Sequence, residues 1–105
     1  MRLRKEFDTM EEEEILIIAK VSDALAHPAR IKIFRYIMKC NKERTPLCNK
    51  DIVANFDYSQ ATISQHLKKL VLSDLVQTEK KDRFTYYYAN IGVLIKYLDA
   101  TRKFE

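Results

Sequence analysis

Apolar positions recur along the chain with two periods, one helical and one strand-like, and these predict five helices and one hairpin. Ile15, Leu16, Ile17, Ile18, Val21, Ala24 and Leu25 predict a first helix from about Met10 to Leu25. Its apolar set is wider than one stripe, so this helix is expected to bury two faces. Thr9 followed by Glu12 reads as a capping box, and Glu11 to Glu14 suit the positive end of the helix dipole. His27-Pro28 interrupts the chain and restarts it, with proline at a favourable first helical position. A second helix is predicted from Pro28 to about Lys39, burying Ile31, Ile33, Phe34, Ile37 and Met38. Thr45-Pro46 repeats the cap-then-proline signal and predicts a short third helix to about Asn55, anchored by Leu47, Ile52, Val53 and Phe56.

After the Asp57-Tyr58 turn, Ser59 is a strong N-cap candidate for a fourth helix from Gln60 to about Ser73. Ile63, Leu67 and Leu70 fall at i, i+4 and i+7, a single apolar face. Leu75 to Lys80 and Phe84 to Ala89 are rich in Val, Thr, Tyr and Phe and flank Lys81-Asp82-Arg83, which predicts a β-hairpin. Asn90 caps a last helix from Ile91 to about Arg102, whose apolar residues again exceed one stripe. The expected fold is mainly α with one β-hairpin, in the order α-α-α-α-β-β-α. Such a helix-turn-helix followed by a hairpin is a winged helix-turn-helix.

Composition narrows this picture little. A chain of 105 residues is one domain by length, and 47% hydrophobic residues suffice for one modest core. One glycine and two prolines argue against an all-β sandwich. No run of 18 apolar residues is present, so no membrane helix is expected. Met1 to Lys5 is basic, but acids follow where a signal peptide would be apolar, so the cytoplasm is the default location.

Charge changes the picture more. Residues 1–19, an acidic arm and the start of the first helix, carry three basic and six acidic residues. Residues 20–105 carry the remaining sixteen basic and nine acidic residues, a net +7 that favours a polyanion, nucleic acid first. Residues 46–73 form the expected helix-turn-helix and residues 75–89 the expected wing. The polar side of the fourth helix carries Gln60, Ala61, Ser64, Gln65 and Lys68, with no acid from Gln60 to Ser73. Glutamine can bond adenine bidentately, serine can donate or accept, and an alanine methyl can touch a thymine methyl. Lys80, Lys81 and Arg83 gather at the hairpin tip beside Asp82, where cations suit phosphates or a minor groove. His66 lies between the core side and the groove side, able either to touch a phosphate or to pack. A solvated polar face and a charged turn are the bland alternatives, and adjacency of the two features favours double-stranded DNA.

These residues also resemble a known family. Asp23-Ala24-Leu25-Ala26-His27-Pro28-Ala29-Arg30-Ile31-Lys32-Ile33 is similar to the Ala-Leu-x-x-Pro-x-Arg-x-x-Ile opening of ArsR/SmtB-type winged-helix repressors. Ser59-Gln60-Ala61-Thr62-Ile63-Ser64-Gln65-His66-Leu67-Lys68-Lys69-Leu70 resembles their recognition-helix motif, Ser-Gln-x-x-(Val/Ile)-Ser-x-His-Leu-x-x-Leu. Leu75-Val76 and a basic hairpin ending in Tyr86-Tyr87-Tyr88 resemble their wing. The resemblance implies a homodimeric, operator-binding transcriptional regulator. With Ser59 and Thr62, the same recognition-helix segment completes the expected DNA-binding residues. The resemblance also implies that the first and last helices pair across a dimer, the last as a dimerisation helix over residues 91–104, with Ile15, Ile18, Leu94, Tyr97 and Leu98 as expected contacts.

The sequence departs from that family where metals are sensed. Members that use a Leu-Cys-x-Cys-Asp-Leu pattern are met here by Leu47-Cys48-Asn49-Lys50-Asp51-Ile52, and a lysine cannot replace a thiolate ligand. Members that use Asp and His on the last helix are met by a segment, Asn90 to Glu105, with no histidine. No metal site and no cofactor are therefore expected. Neither is an enzyme, since no nucleophile has a recognisable base and no glycine-rich phosphate loop exists. Cys40 and Cys48, eight residues apart, are the candidates for thiol redox chemistry if the intervening loop folds back. Lys50, two residues after Cys48, would make that thiol more reactive. The competing function is a winged helix used as a protein-interaction module.

Overall fold

The computed structural model describes residues 9–105, so the basic stretch Met1 to Lys5 and the start of the acidic arm lie outside the described residues. Five α-helices, α1 (Glu12–Ala24), α2 (Pro28–Lys42), α3 (Asn49–Asn55), α4 (Gln60–Leu72) and α5 (Ile91–Thr101), surround an antiparallel hairpin of β1 (Val76–Lys81) and β2 (Phe84–Ala89). One 3-10 turn, Arg102–Phe104, follows α5. The order is the expected one.

Side chains from every helix but α5 build the centre of the core. Val21 and Ala24 of α1, Ile33, Phe34 and Ile37 of α2, and Ile52 of α3 pack with Ile63, Leu67 and Leu70 of α4. Leu75 and Val76 close the core at the foot of the wing. Ile31, expected on the buried side of α2, is instead exposed at 43%. It falls three residues before Phe34, on a flank where no neighbouring helix covers it.

Local chemistry sets the helix ends. The capping box of α1 sits two residues later than Thr9 and Glu12 suggest: Glu11 is the N-cap, and its N–H donates to Glu14 Oε1 at 3.0 Å. Glu14 Oε1 also accepts from Lys103 Nζ at 2.7 Å, tying α1 to the far end of the chain. That contact, then the Glu11 N–H, holds the Glu14 carboxyl below its usual value. His27 caps α2 by accepting from the Ala29 N–H at 3.1 Å. Ser59 Oγ accepts the Thr62 N–H at 3.2 Å to start α4, and Asn90 Oδ1 accepts the Val93 N–H at 3.3 Å to start α5.

Two boundaries differ from expectation. Helix α2 runs to Lys42 and not Lys39, because Cys40 is buried and Asn41 is held by the wing. Asn41 Nδ2 donates to Tyr87 O at 3.3 Å, and its Oδ1 accepts the Ala89 N–H at 2.8 Å. Helix α3 begins at Asn49, with Cys48 as its N-cap, so Pro46 is not its first residue. Segment 45–48 is extended because its backbone pairs with β2: Leu47 O accepts the Tyr87 N–H at 2.9 Å, and Cys48 bridges Tyr86 antiparallel. The hairpin register runs from Val76↔Ala89 to Lys81↔Phe84, leaving a two-residue loop, Asp82-Arg83. Asp82 takes a φ of 58°, a left-handed conformation that aspartate tolerates well, and this lets Lys81 pair where a longer tip was expected.

Candidate nucleic-acid interface

Helix α4 owes its orientation to its own period. Ile63, Leu67 and Leu70 are buried in the core, which turns Gln60, Ala61, Ser64, Gln65 and Lys68 outward, all exposed. The two cap residues have local duties: Ser59 Oγ donates to Thr62 Oγ1 at 2.9 Å as well as accepting its N–H, and Thr62 is half-buried.

The outward face of α4 meets three neighbours. Gln60 shares a concavity with Asn49, Lys50 and Val53 of α3 and with Arg83 and Phe84 at the wing tip. Ser64 and Lys68 share another with Thr78 and Tyr87 of the wing. Gln65, Lys68 and Lys69 border Arg30 of α2. The start of α3, the start of α4 and the wing tip thus converge on one surface. Lys80, Lys81 and Arg83 are all exposed on the wing, and no ion pair engages them among the described residues. Sequence reading does not place Asn49, Lys50, Arg30 and Lys69 on this surface. Their positions on α2, α3 and α4 signal them only once the packing of those helices is known.

His66 borders the Arg30 concavity from the inner side of α4. It is buried, with 9% of its surface exposed. Its ring lies 4.7 Å from that of His27 and 6.4 Å from that of Tyr58, and Arg30 Nη1 donates to its Nδ1 at 3.4 Å. One residue before Leu67, it falls toward the inward side of the helix, and its burial favours the packing alternative over a phosphate contact.

Helices α1 and α5 pack together and leave apolar side chains outside. Ile15 and Leu98 are exposed, as are Leu16 at 55% and Ile95 at 53%, which the expected dimer set omits. Ile18 is half-buried. Leu94 and Tyr97 are half-buried against the protomer's own core, and the Tyr97 hydroxyl hydrogen-bonds Ser22 Oγ at 3.3 Å. The outer face of α5 is therefore carried by Ile91, Ile95 and Leu98 more than by Leu94 and Tyr97.

Cys40 and Cys48 are both free and buried. The Cys48 thiol donates to Asp51 Oδ2 at 3.3 Å, so its charged neighbour is a carboxylate and not the exposed Lys50. Burial, then a hydrogen bond with Cys40, pushes the Tyr36 hydroxyl above its ordinary value. Among the described residues, no three His, Cys, Asp or Glu side chains gather as a metal ion would require. No helix there is long and apolar enough to cross a membrane.

A recognition helix set by its neighbours, a short preceding helix and a basic two-stranded wing define a winged helix-turn-helix, the fold of many DNA-binding regulators. The family model described as bacterial regulatory protein, arsR family, matches residues 27–78, from the cap of α2 to the first strand of the wing. The arsenical resistance operon repressor of Staphylococcus xylosus is 35% identical over 81 residues, spanning 77% of this chain and 70% of that protein. The chain belongs to the arsR family of bacterial regulatory proteins. Among solved structures, an ArsR-like transcriptional regulator from Rhodococcus sp. RHA1 superposes with a TM-score of 0.75 at 22% identity, covering 88% of this chain and 82% of that one. The homodimeric winged helix-turn-helix DNA-binding domain Mb0332 of Mycobacterium bovis gives 0.65 at 18% identity, covering 92% and 88%.

Proposed function

We propose that this protein is a transcriptional repressor that binds a near-palindromic operator as a homodimer. The carrying observation is the acid-free outward face of α4, Gln60, Ala61, Ser64, Gln65 and Lys68, whose first residue shares a concavity with Arg83 of the wing tip. Glutamine and serine read base edges, while Lys80, Lys81 and Arg83 neutralise phosphates. Repression is supported by the repressor role of the Staphylococcus xylosus relative. Dimerisation is supported by the uncovered apolar face of α1 and α5, and by a neighbour of the same fold described as homodimeric. A two-fold pair would set two copies of α4 roughly 34 Å apart, one turn of duplex.

We infer that the two cysteines of this chain do not by themselves form a thiolate site for a metalloid. A metalloid held by thiolates needs several converging sulfurs, whereas Cys48 is bonded to Asp51, Cys40 to Tyr36, and Lys50 stands where a second thiolate would be needed.

The test is fluorescence anisotropy with duplexes selected from genomic fragments by the purified protein, at two salt concentrations. The expected result is saturable binding with a steep salt dependence and a selected sequence with two half-sites. Absence of duplex binding at low salt would overturn the reading and leave a winged-helix protein-interaction module.

A further inference from the structure

A cleft of about 390 Å³ lies behind the wing, with Arg44, Thr45 and Pro46 on one side and Lys81, Tyr86 and Tyr88 on the other. Strand alternation explains the second wall. Tyr86 and Tyr88 are two residues apart on β2, and Lys81 pairs with Phe84 on the same face. Tyr87, on the opposite face, packs against the core. The two tyrosine rings are thus left half-exposed and flat, opposite the α2–α3 connection.

Two cations line the cleft, Arg44 opposite the aromatic wall and Lys81 within it. Neither Arg44 nor Lys81 has an ion-pair partner among the described residues, and both are exposed. Glu79 shares the face with Lys81 but does not line the cleft. Arg44 ends α2 at a φ of 58°, where its N–H donates to Asn41 O at 3.0 Å and the Thr45 N–H donates to Cys40 O at 2.9 Å. Glycine is the residue that such a helix end favours, so the turn does not itself call for an arginine.

We propose that this cleft binds a small planar organic anion, an aromatic carboxylate, and that this ligand is an effector of the protein. The Arg44 guanidinium offers a fork that matches a carboxylate, Lys81 supplies a second charge, and the rings of Tyr86 and Tyr88 offer flat apolar surface. The volume is in the usual range for small-molecule sites, about 300–1,000 Å³. The site is also placed to be felt elsewhere. Asn41, in its wall, carries the two hydrogen bonds that hold β2 to α2, and Lys81 is one of the wing cations. A bound carboxylate would neutralise Lys81 and withdraw it from a phosphate. That consequence rests on the DNA-binding reading; ligand binding itself does not.

The experiment titrates the ¹⁵N-labelled full chain with 1-naphthoate, with acetate as the charge alone and 1-naphthol as the ring alone. Expected are saturable amide shifts at Arg44, Thr45, Tyr86 and Tyr88 with 1-naphthoate, and binding about tenfold weaker or less with either fragment, since each lacks one class of contact. Arg44→Gly suits the backbone, keeps the dispersed spectrum and weakens 1-naphthoate by about tenfold or more. A random-sequence duplex is then titrated with and without 1-naphthoate. Weaker duplex binding in the wild type, and no change in Arg44→Gly, supports the effector role. Ligand binding without any change in duplex affinity overturns that role and leaves the site standing. No saturable shift with 1-naphthoate, or shifts that survive Arg44→Gly, would overturn the site.

Discussion

Arg30 Nη1 donates to His66 Nδ1 at 3.4 Å, while its Nε donates to Ala24 O at 2.7 Å and its Nη2 to Asp23 O at 3.4 Å. One side chain of α2 therefore holds both the end of α1 and the inner side of the recognition helix. A guanidinium has no acceptor, so His66 Nδ1 must be the accepting nitrogen, and the neutral ring carries its proton on Nε2. A cation at the C-terminal end of α1 also meets the negative end of that helix dipole.

The first prediction concerns pH. Burial, then the neighbouring His27 and Arg30, hold the His66 imidazole below its ordinary value. The unfolded chain takes up this proton near pH ~6.5, while the folded chain does so only at lower pH. Between those values the unfolded state binds more protons, so stability falls as pH drops through the window. Urea midpoints measured from pH 8 down to 5 should decline below the histidine value. His66→Gln, which keeps an acceptor without titrating, should remove that part of the slope. An identical slope in the variant would show that other groups set it.

The second prediction concerns Arg30 itself. Arg30→Leu keeps much of the apolar stem and deletes the donors to Ala24 O and His66. The loss should be about 1.5–3 kcal/mol, the usual worth of hydrogen bonds from a charged group. Chemical denaturation measures it. A change within about 0.5 kcal/mol, as for an ordinary surface substitution, would assign Arg30 to solvent.

A third prediction follows from the Asn41 clasp. Asn41→Leu should leave Tyr87 O and the Ala89 N–H without their side-chain partners, at a cost of about 1–3 kcal/mol. Hydrogen exchange should report it locally, with the Ala89 amide losing protection before amides of α4. Uniform loss of protection across the chain would mean that the wing is no separate unit.

These contacts mark where sequence reading stops. Helix α4 is legible because Ile63, Leu67 and Leu70 are spaced by the helix itself, and so the outward set from Gln60 to Lys68 follows. The hairpin is legible because Tyr86, Tyr87 and Tyr88 and the Lys81-Asp82-Arg83 turn are local signals. The start of α3 is not, because Thr45-Pro46 has the local form of a cap, while the Leu47 carbonyl and Cys48 backbone answer to Tyr87 and Tyr86, some forty residues away. The Asn41 clasp and the Arg30–His66 contact are not legible for the same reason: their partners are distant in sequence. On α5, an apolar set wider than one stripe shows that two faces exist, but only packing against α1 assigns Tyr97 inward and Ile95 outward.

The fourth prediction separates base reading from phosphate contact. Gln60→Ala and Gln65→Ala should each lose about 1–3 kcal/mol at one base pair of the selected operator and little on random duplex. Lys80→Ala and Arg83→Ala should weaken both duplexes alike, and each should reduce the salt slope by about 1 if its side chain neutralises one phosphate. Anisotropy titrations over a salt series measure both quantities. If all four substitutions leave affinity and slope unchanged, α4 and the wing present some other surface.

The last prediction concerns the face of α1 and α5. Ile95 is 53% exposed in the protomer, so Ile95→Glu costs the monomer little and should leave its helical circular dichroism intact. In a two-fold pair the substitution occurs twice, and each copy would place a carboxylate against Ile15, Leu16 or Leu98 of the other protomer, or against its own image. Burying such a charge without a partner costs several kcal/mol, enough to weaken a dimer by more than about 100-fold. Leu72→Glu is the control, because Leu72 is more exposed still, at 65%, but lies on α4 and not on α1 or α5. Sedimentation velocity at micromolar concentration should show a dimer for the wild type and Leu72→Glu, and a folded monomer for Ile95→Glu. A wild-type monomer would remove the dimer altogether, and a dimer that tolerates Ile95→Glu but not Leu72→Glu would move its interface to α4.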